Sequence, residues 1–164
     1  MQRTPFSLVA CLFLVPAVAE SQTSNDSLAV ARTAIARFAE HRAVRIDPVQ
    51  PAEPFGRGRG PRHSREWLDS LALSERVAVC NSDACSRLPT DSVGVIRISR
   101  PTFVGPDTAE IVVLSTVRSG PSGCPSWDET AYSVTVVKVG ARWILGSTRA
   151  HDHAWYVDTL CFGR

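Results

Sequence analysis

Apolar positions recur at two different spacings along this chain, and the change of spacing divides it in two. In the first half Leu28, Ala31, Ile35 and Phe38 share one helical face, with Arg32, Arg37, Glu40 and Arg42 elsewhere. That spacing predicts an amphipathic helix over roughly 26–43, with N-cap chemistry in Ser24-Asn25-Asp26-Ser27. Ser64 can cap a second helix over about 65–76, where Trp67, Leu68 and Leu71 cluster on one side. In the second half the period falls to two. Val93 to Ser99, Ala109 to Arg118, Ala131 to Val139 and Arg142 to Arg149 all read as strands, with Gly140-Ala141 as a tight hairpin turn. Helices followed by a meander of about four antiparallel strands predict an α+β fold, its N-terminal helices packed on one face of a curved sheet.

Between the helices, residues 47–62 (DPVQPAEPFGRGRGPR) hold four prolines and three glycines, which exclude helix and central strand and predict an exposed loop. Arg57 and Arg59 between glycines resemble RGG-like RNA-binding segments, but so short a run reads better as a solvated loop. The N-terminal helix has no core of its own, so one domain is expected.

Residues 1–19 (MQRTPFSLVACLFLVPAVA) change the expected destination. Arg3, an apolar run from Phe6 to Val15, Pro16 and then Ala17-Val18-Ala19 have the layout of a cleavable signal peptide, with the cut before Glu20 and a domain over 20–164. The apolar run is too short to span about 30 Å of hydrocarbon, so no membrane span is expected. Leu8-Val9-Ala10-Cys11 resembles a lipobox, which keeps a lipoprotein as the alternative to a secreted or periplasmic chain. Charge adds little: 18 basic against 16 acidic residues leave +2, with no global steering toward nucleic acid.

Without Cys11, four cysteines are left: Cys80, Cys85, Cys124 and Cys161. An even number in an exported chain reads as disulfides, with three possible pairings. The turn-like Asn81-Ser82-Asp83-Ala84 insert favours Cys80–Cys85, and Cys124–Cys161 follows by elimination. A four-thiolate zinc site would need a second close pair, and a redox pair would need C-x-x-C; both are absent.

Ser99-Arg100-Pro101-x-Phe103, the long strand after it, and Tyr132 to Trp143 (YSVTVVKVGARW) resemble a layout of small exported bacterial domains, in which S-R-P-x-F precedes a strand and a Lys-x-x-x-x-Trp hairpin closes the sheet. The order of elements is also similar to the cone-shaped NTF2-like superfamily. That resemblance implies a curved sheet under helices; because the superfamily holds both enzymes and binding domains, it implies no activity.

The chain's own chemistry is sparse. His151-Asp152-His153 concentrates catalytic residue types, and in a continuing strand both histidines would point to one face, as an H-x-H metal pair requires. His63, His41 or a carboxylate could supply a third ligand, but no spacing selects one, and neither metal nor cofactor is expected. Gly120-Pro121-Ser122-Gly123 lacks the nucleophile elbow, and G-R-G-R-G lacks the Lys-Ser/Thr of a phosphate loop. Asp128-Glu129 are adjacent and point apart in extended chain, so they do not form a glycosidase pair. Trp67, Trp127, Trp143 and Trp155 are expected in the core or at its rim. The reading is therefore a non-catalytic binding or structural module with an unidentified ligand or protein partner. The alternative is a small cone-fold enzyme that uses His151, Asp152 or His153 as acid, base or metal ligand.

Overall fold

The computed structural model describes residues 18–52, 56–71, 74–80, 93–119 and 126–157. Helix α1 (Val18–Ala39) leads into β1 (Ala43–Ile46), β2 (Val49–Ala52), β3 (Gly56–Arg62), α2 (Arg65–Ser70) and β4 (Val77–Val79). Then follow β5 (Val93–Ile98), β6 (Thr102–Gly105), β7 (Thr108–Ser119), β8 (Ser126–Val139) and β9 (Arg142–Val157).

The main sheet has seven strands in the order β4-β1-β5-β7-β8-β9, with β6 also paired to β7. β1 runs parallel to both β4 and β5, and the remaining pairs are antiparallel. This corrects the expected α+β fold. Among the described residues strand predominates, the sheet is mixed rather than a four-stranded antiparallel meander, and beside the long helix α1 the helix α2 spans only six residues. β5 and β7 lie where alternation predicts them, whereas β8 begins five residues before the expected Ala131 and β9 runs eight residues past the expected Arg149. The additions β1, β4 and β6 are three or four residues long. Such runs carry too few positions to show a period, and β1 finds its partners about 30 and 50 residues downstream, through tertiary pairing alone.

α1 differs at both ends from the expected 26–43. It begins upstream of Ser24, so Asp26 lies inside the helix, and it stops at Ala39, where Val44 and Ile46 turn inward as strand residues. Asp26 is no cap; its carboxylate reaches across to the β8–β9 hairpin. α2 begins as expected, with the Ser64 hydroxyl accepting from Trp67 N–H at 3.3 Å.

The core lies between α1 and one face of the main sheet. Val30, Ala31, Ala34 and Ile35 pack with Ile46, Ile96, Ile98, Ile111, Val113, Val134 and Val136, all essentially inaccessible to solvent. The small Ala31 and Ala34 let the helix backbone sit close to the strands, and each buried Val or Ile contributes about 1.5–3 kcal/mol. The reverse face of the sheet buries a separate set: Val95, Leu114, Trp127, Ala131 and Ala154.

Within the 47–62 segment, read from its prolines as a loop, Val49–Ala52 and Gly56–Arg62 pair as a two-stranded antiparallel ribbon, β2 and β3. Its entry is pinned by buried Asp47, which accepts from Val49 N–H at 2.9 Å and from Arg97 Nε at 3.0 Å. Prolines are tolerated here because the ribbon is all edge. Gly60 has a steric role: a Cβ there would lie 2.7 Å from the Pro51 carbonyl oxygen.

The S-R-P-x-F and Lys-x-x-x-x-Trp segments meet in space. Ser99 exchanges two hydrogen bonds with Val112, N–H to O and N–H to Oγ, each 2.9 Å. Arg100 stands 5.5 Å above the Trp67 ring, and Phe103 meets Trp143 edge to face at 5.8 Å. The Gly140-Ala141 turn joins β8 to β9 as expected, with Gly140 at φ +62°, a conformation natural to glycine.

Candidate functional site

The longest strands position the site. Directly paired residues share a face, so the β7–β8–β9 register places Ser115, Thr130 and His153 in one row and Val117, Asp128 and Trp155 in the next. Val113, Tyr132 and Ala150 form a third row. These rows lie on the side that α1 covers. Near the end of the helix the cover is incomplete, and a cleft of about 300 Å³ opens. Its roof is Arg37, Phe38, His41 and Arg42; its floor is Ser115, Val117, Asp128, Thr130, Tyr132 and Thr148. Phe38 and Tyr132 form an edge-to-face wall with ring centroids 5.3 Å apart.

His153 stands at the margin of this cleft. Its Nδ1 shares a 2.9 Å hydrogen bond with Thr130 Oγ1, and its Nε2 is 3.7 Å from Asp128 Oδ1. Trp155 lies opposite Asp128 and is 61% exposed, which leaves a broad aromatic surface beside the cleft.

The other members of the His151-Asp152-His153 set do not join it. Pairing passes from Ala131–Asp152 to Tyr132–Ala150, so His151 is the extra residue of a β-bulge. His151 Nε2 bonds Ser133 Oγ at 2.8 Å, and Ser133 belongs to the opposite face of β8 from Thr130. The expected one-faced H-x-H pair is therefore split across the sheet. Asp152 pairs with Ala131 on that reverse face and accepts the His153 backbone N–H at 2.9 Å. Among the described residues no group of three or more His, Cys, Asp or Glu side chains is placed to hold a metal ion.

The two histidines weighed as further ligands lie apart from this row. His41 is in the cleft roof, 3.8 Å from Glu40 Oε2. His63 is buried, donates from Nε2 to the Ile98 carbonyl at 2.8 Å, and stacks on Trp67 at 4.1 Å. Burial, more than the nearby Arg100 charge, holds the His63 imidazole below its ordinary pKa, against the opposing hydrogen bond to Ile98. Asp128, set aside as half of an adjacent carboxylate pair, is the acid that faces the cleft, while Glu129 turns to Thr116. Nothing in the linear sequence marks Thr130 or Tyr132 as site residues; only the strand register does.

Cys80 follows β4, half-buried, with its N–H donating to the Ile46 carbonyl at 3.0 Å. Cys11, Cys85, Cys124, Cys161, Ser122 and the leader-like residues 1–17 lie outside the described residues. No described helix is long and apolar enough to cross a membrane.

No protein-family model matches this chain, and no curated protein does. Among solved structures it is similar to the crystal structure of a "Putative Scytalone Dehydratase" from Novosphingobium aromaticivorans DSM 12444, at 12% identity. The overlay covers 84% of this chain and 88% of that one, with a TM-score of 0.32.

Proposed function

We propose that this protein is an exported binding module that holds a small organic ligand, without turning it over, in the cleft between the end of α1 and strands β7–β9. The observation that carries this reading is the lining. The cleft combines an aromatic wall, Phe38 and Tyr132, with hydroxyls from Ser115, Thr130 and Thr148 on the sheet. Small-molecule sites combine apolar walls with a few convergent polar groups in this way. Export is supported by the apolar N-terminal segment ending in Ala17-Val18-Ala19, and stapling by the even number of later cysteines. Cys80 itself is disulfide-bonded, which supports stapling, and the pairing proposed is Cys80–Cys85 with Cys124–Cys161.

Chemical-shift mapping with small hydroxylated ring compounds tests the site. Shifts should gather on Phe38, Ser115, Thr130, Tyr132 and Thr148, and Thr130→Trp, which fills the floor, should abolish them. Shifts scattered over the surface, or binding indifferent to Thr130→Trp, would sink the reading.

A second reading is favoured by one contact. His153, bonded to Thr130 and close to Asp128, is placed to exchange a proton with a ligand in the cleft. In that case His153→Ala leaves binding intact and abolishes turnover, whereas in a binding module it changes neither.

A further inference from the structure

Of the two arginines in the cleft roof, one has a carboxylate partner and the other has none among the described residues. Arg37 pairs with Glu40, His41 approaches the same carboxylate, and Asp128 faces His153. Arg37 also stands in the last turn of α1, where a cation offsets the negative end of the helix. Arg42, in the cleft roof, makes no ion pair or hydrogen bond within the described residues. Its stem is nonetheless placed: Cδ lies 3.3 Å from the point where a Cβ on Gly94 would stand, so the arginine runs across bare β5 backbone. A larger residue at position 94 would push it aside.

We infer that the cleft takes a small carboxylate carried on a ring, with Arg42 as its anion anchor. This rests on the binding reading above and adds the ligand class to it. A guanidinium presents two parallel N–H donors that match the two oxygens of a carboxylate, an arrangement a lysine cannot reproduce. The ring belongs against the edge-to-face pair Phe38 and Tyr132, and any ring hydroxyl against Ser115, Thr130 or Thr148. A volume of about 300 Å³ is at the lower end for ligand sites, which suits a single ring rather than a fused system.

Benzoate, benzyl alcohol and benzylamine are close in size and differ in charge, so they serve as probes in titrations followed by amide chemical shifts. Benzoate should bind at least about tenfold more tightly than the other two, since a charge-assisted bidentate contact is stronger than a neutral one. Arg42→Gln should bring benzoate down to the level of benzyl alcohol and leave benzyl alcohol unchanged. Arg42→Lys should recover only part of the difference. Amide dispersion of each variant reports that it is folded, which is expected for changes at an exposed side chain. Equal affinity for benzoate and benzyl alcohol, or benzoate binding unaffected by Arg42→Gln, overturns the anion anchor and leaves the cleft standing. No shifts at Phe38, Thr130 and Tyr132 with any of the three probes overturns both.

Discussion

The indole Nε1 of Trp143 donates to Asp26 Oδ1 at 2.9 Å, joining two residues 117 positions apart. The other oxygen of the same carboxylate accepts from Lys138 Nζ at 3.0 Å, and that ammonium lies 5.4 Å from the Trp143 ring centroid. The Lys-x-x-x-x-Trp spacing therefore has a physical account. It sets a cation and an indole donor on either side of the Gly140-Ala141 turn, and together they clasp the helix to the hairpin.

Asp26→Ala should cost about 1–3 kcal/mol, because it leaves the mostly buried Trp143 N–H without its acceptor and removes the Lys138 partner. Asp26→Asn keeps an oxygen for Trp143 and should lose less. Urea unfolding measures both. The hydrogen bond from Trp143, followed by that from Lys138, holds the Asp26 carboxyl below its ordinary pKa. Folding then favours the ionised form, so this contribution is present above about pH 4 and fades as the pH falls through the lower folded value. In Asp26→Asn that part of the acid dependence should be missing.

The sign of the pH effect is the same at His63, for a different reason. Desolvation holds the folded imidazole below its ordinary pKa, whereas in the unfolded chain it takes up a proton near pH 6.5. The unfolded state then binds more protons, so stability is full above that pH and declines as the medium becomes more acidic. The urea midpoint of the wild type should fall as the pH drops below about 6.5, and the fall should be shallower in His63→Gln. Parallel profiles for the two proteins would show that His63 does not titrate on unfolding.

Gly60→Ala tests the ribbon. The new methyl would stand 2.7 Å from the Pro51 carbonyl oxygen, a backbone atom that cannot swing aside. The expected loss is about 1–3 kcal/mol, typical of overpacking, with faster amide exchange confined to β2 and β3. Unchanged exchange at Val49 and Arg62, which are paired in the ribbon, would contradict that close approach.

Much of the sheet was legible in the linear pattern, and most of the site was not. Ala109 to Arg118 alternates clearly enough to predict β7, Gly140-Ala141 marks the hairpin, and Ser64 marks the start of α2. His153 was visible as a residue type among its neighbours. Its partner Thr130 and the neighbouring Asp128 were not, because what brings them together is the register of β8 against β9. The bulge at His151 shows the limit from the other side. Alternation predicts His151 and His153 on one face, and a single inserted residue, invisible to periodicity, sends His151 to the reverse face.

The chain by itself determined which segments are amphipathic, where glycine and serine permit a turn and a cap, and which residues carry charge. These are consequences of side-chain chemistry acting over a few neighbouring positions. Tertiary structure alone decided that Val44 and Ile46 are strand residues between parallel partners, that Asp26 clasps the hairpin rather than capping a helix, and that Arg42 lies over Gly94. Those outcomes depend on contacts between distant segments, whose free energy exceeds the weak local preferences of a three- or four-residue run.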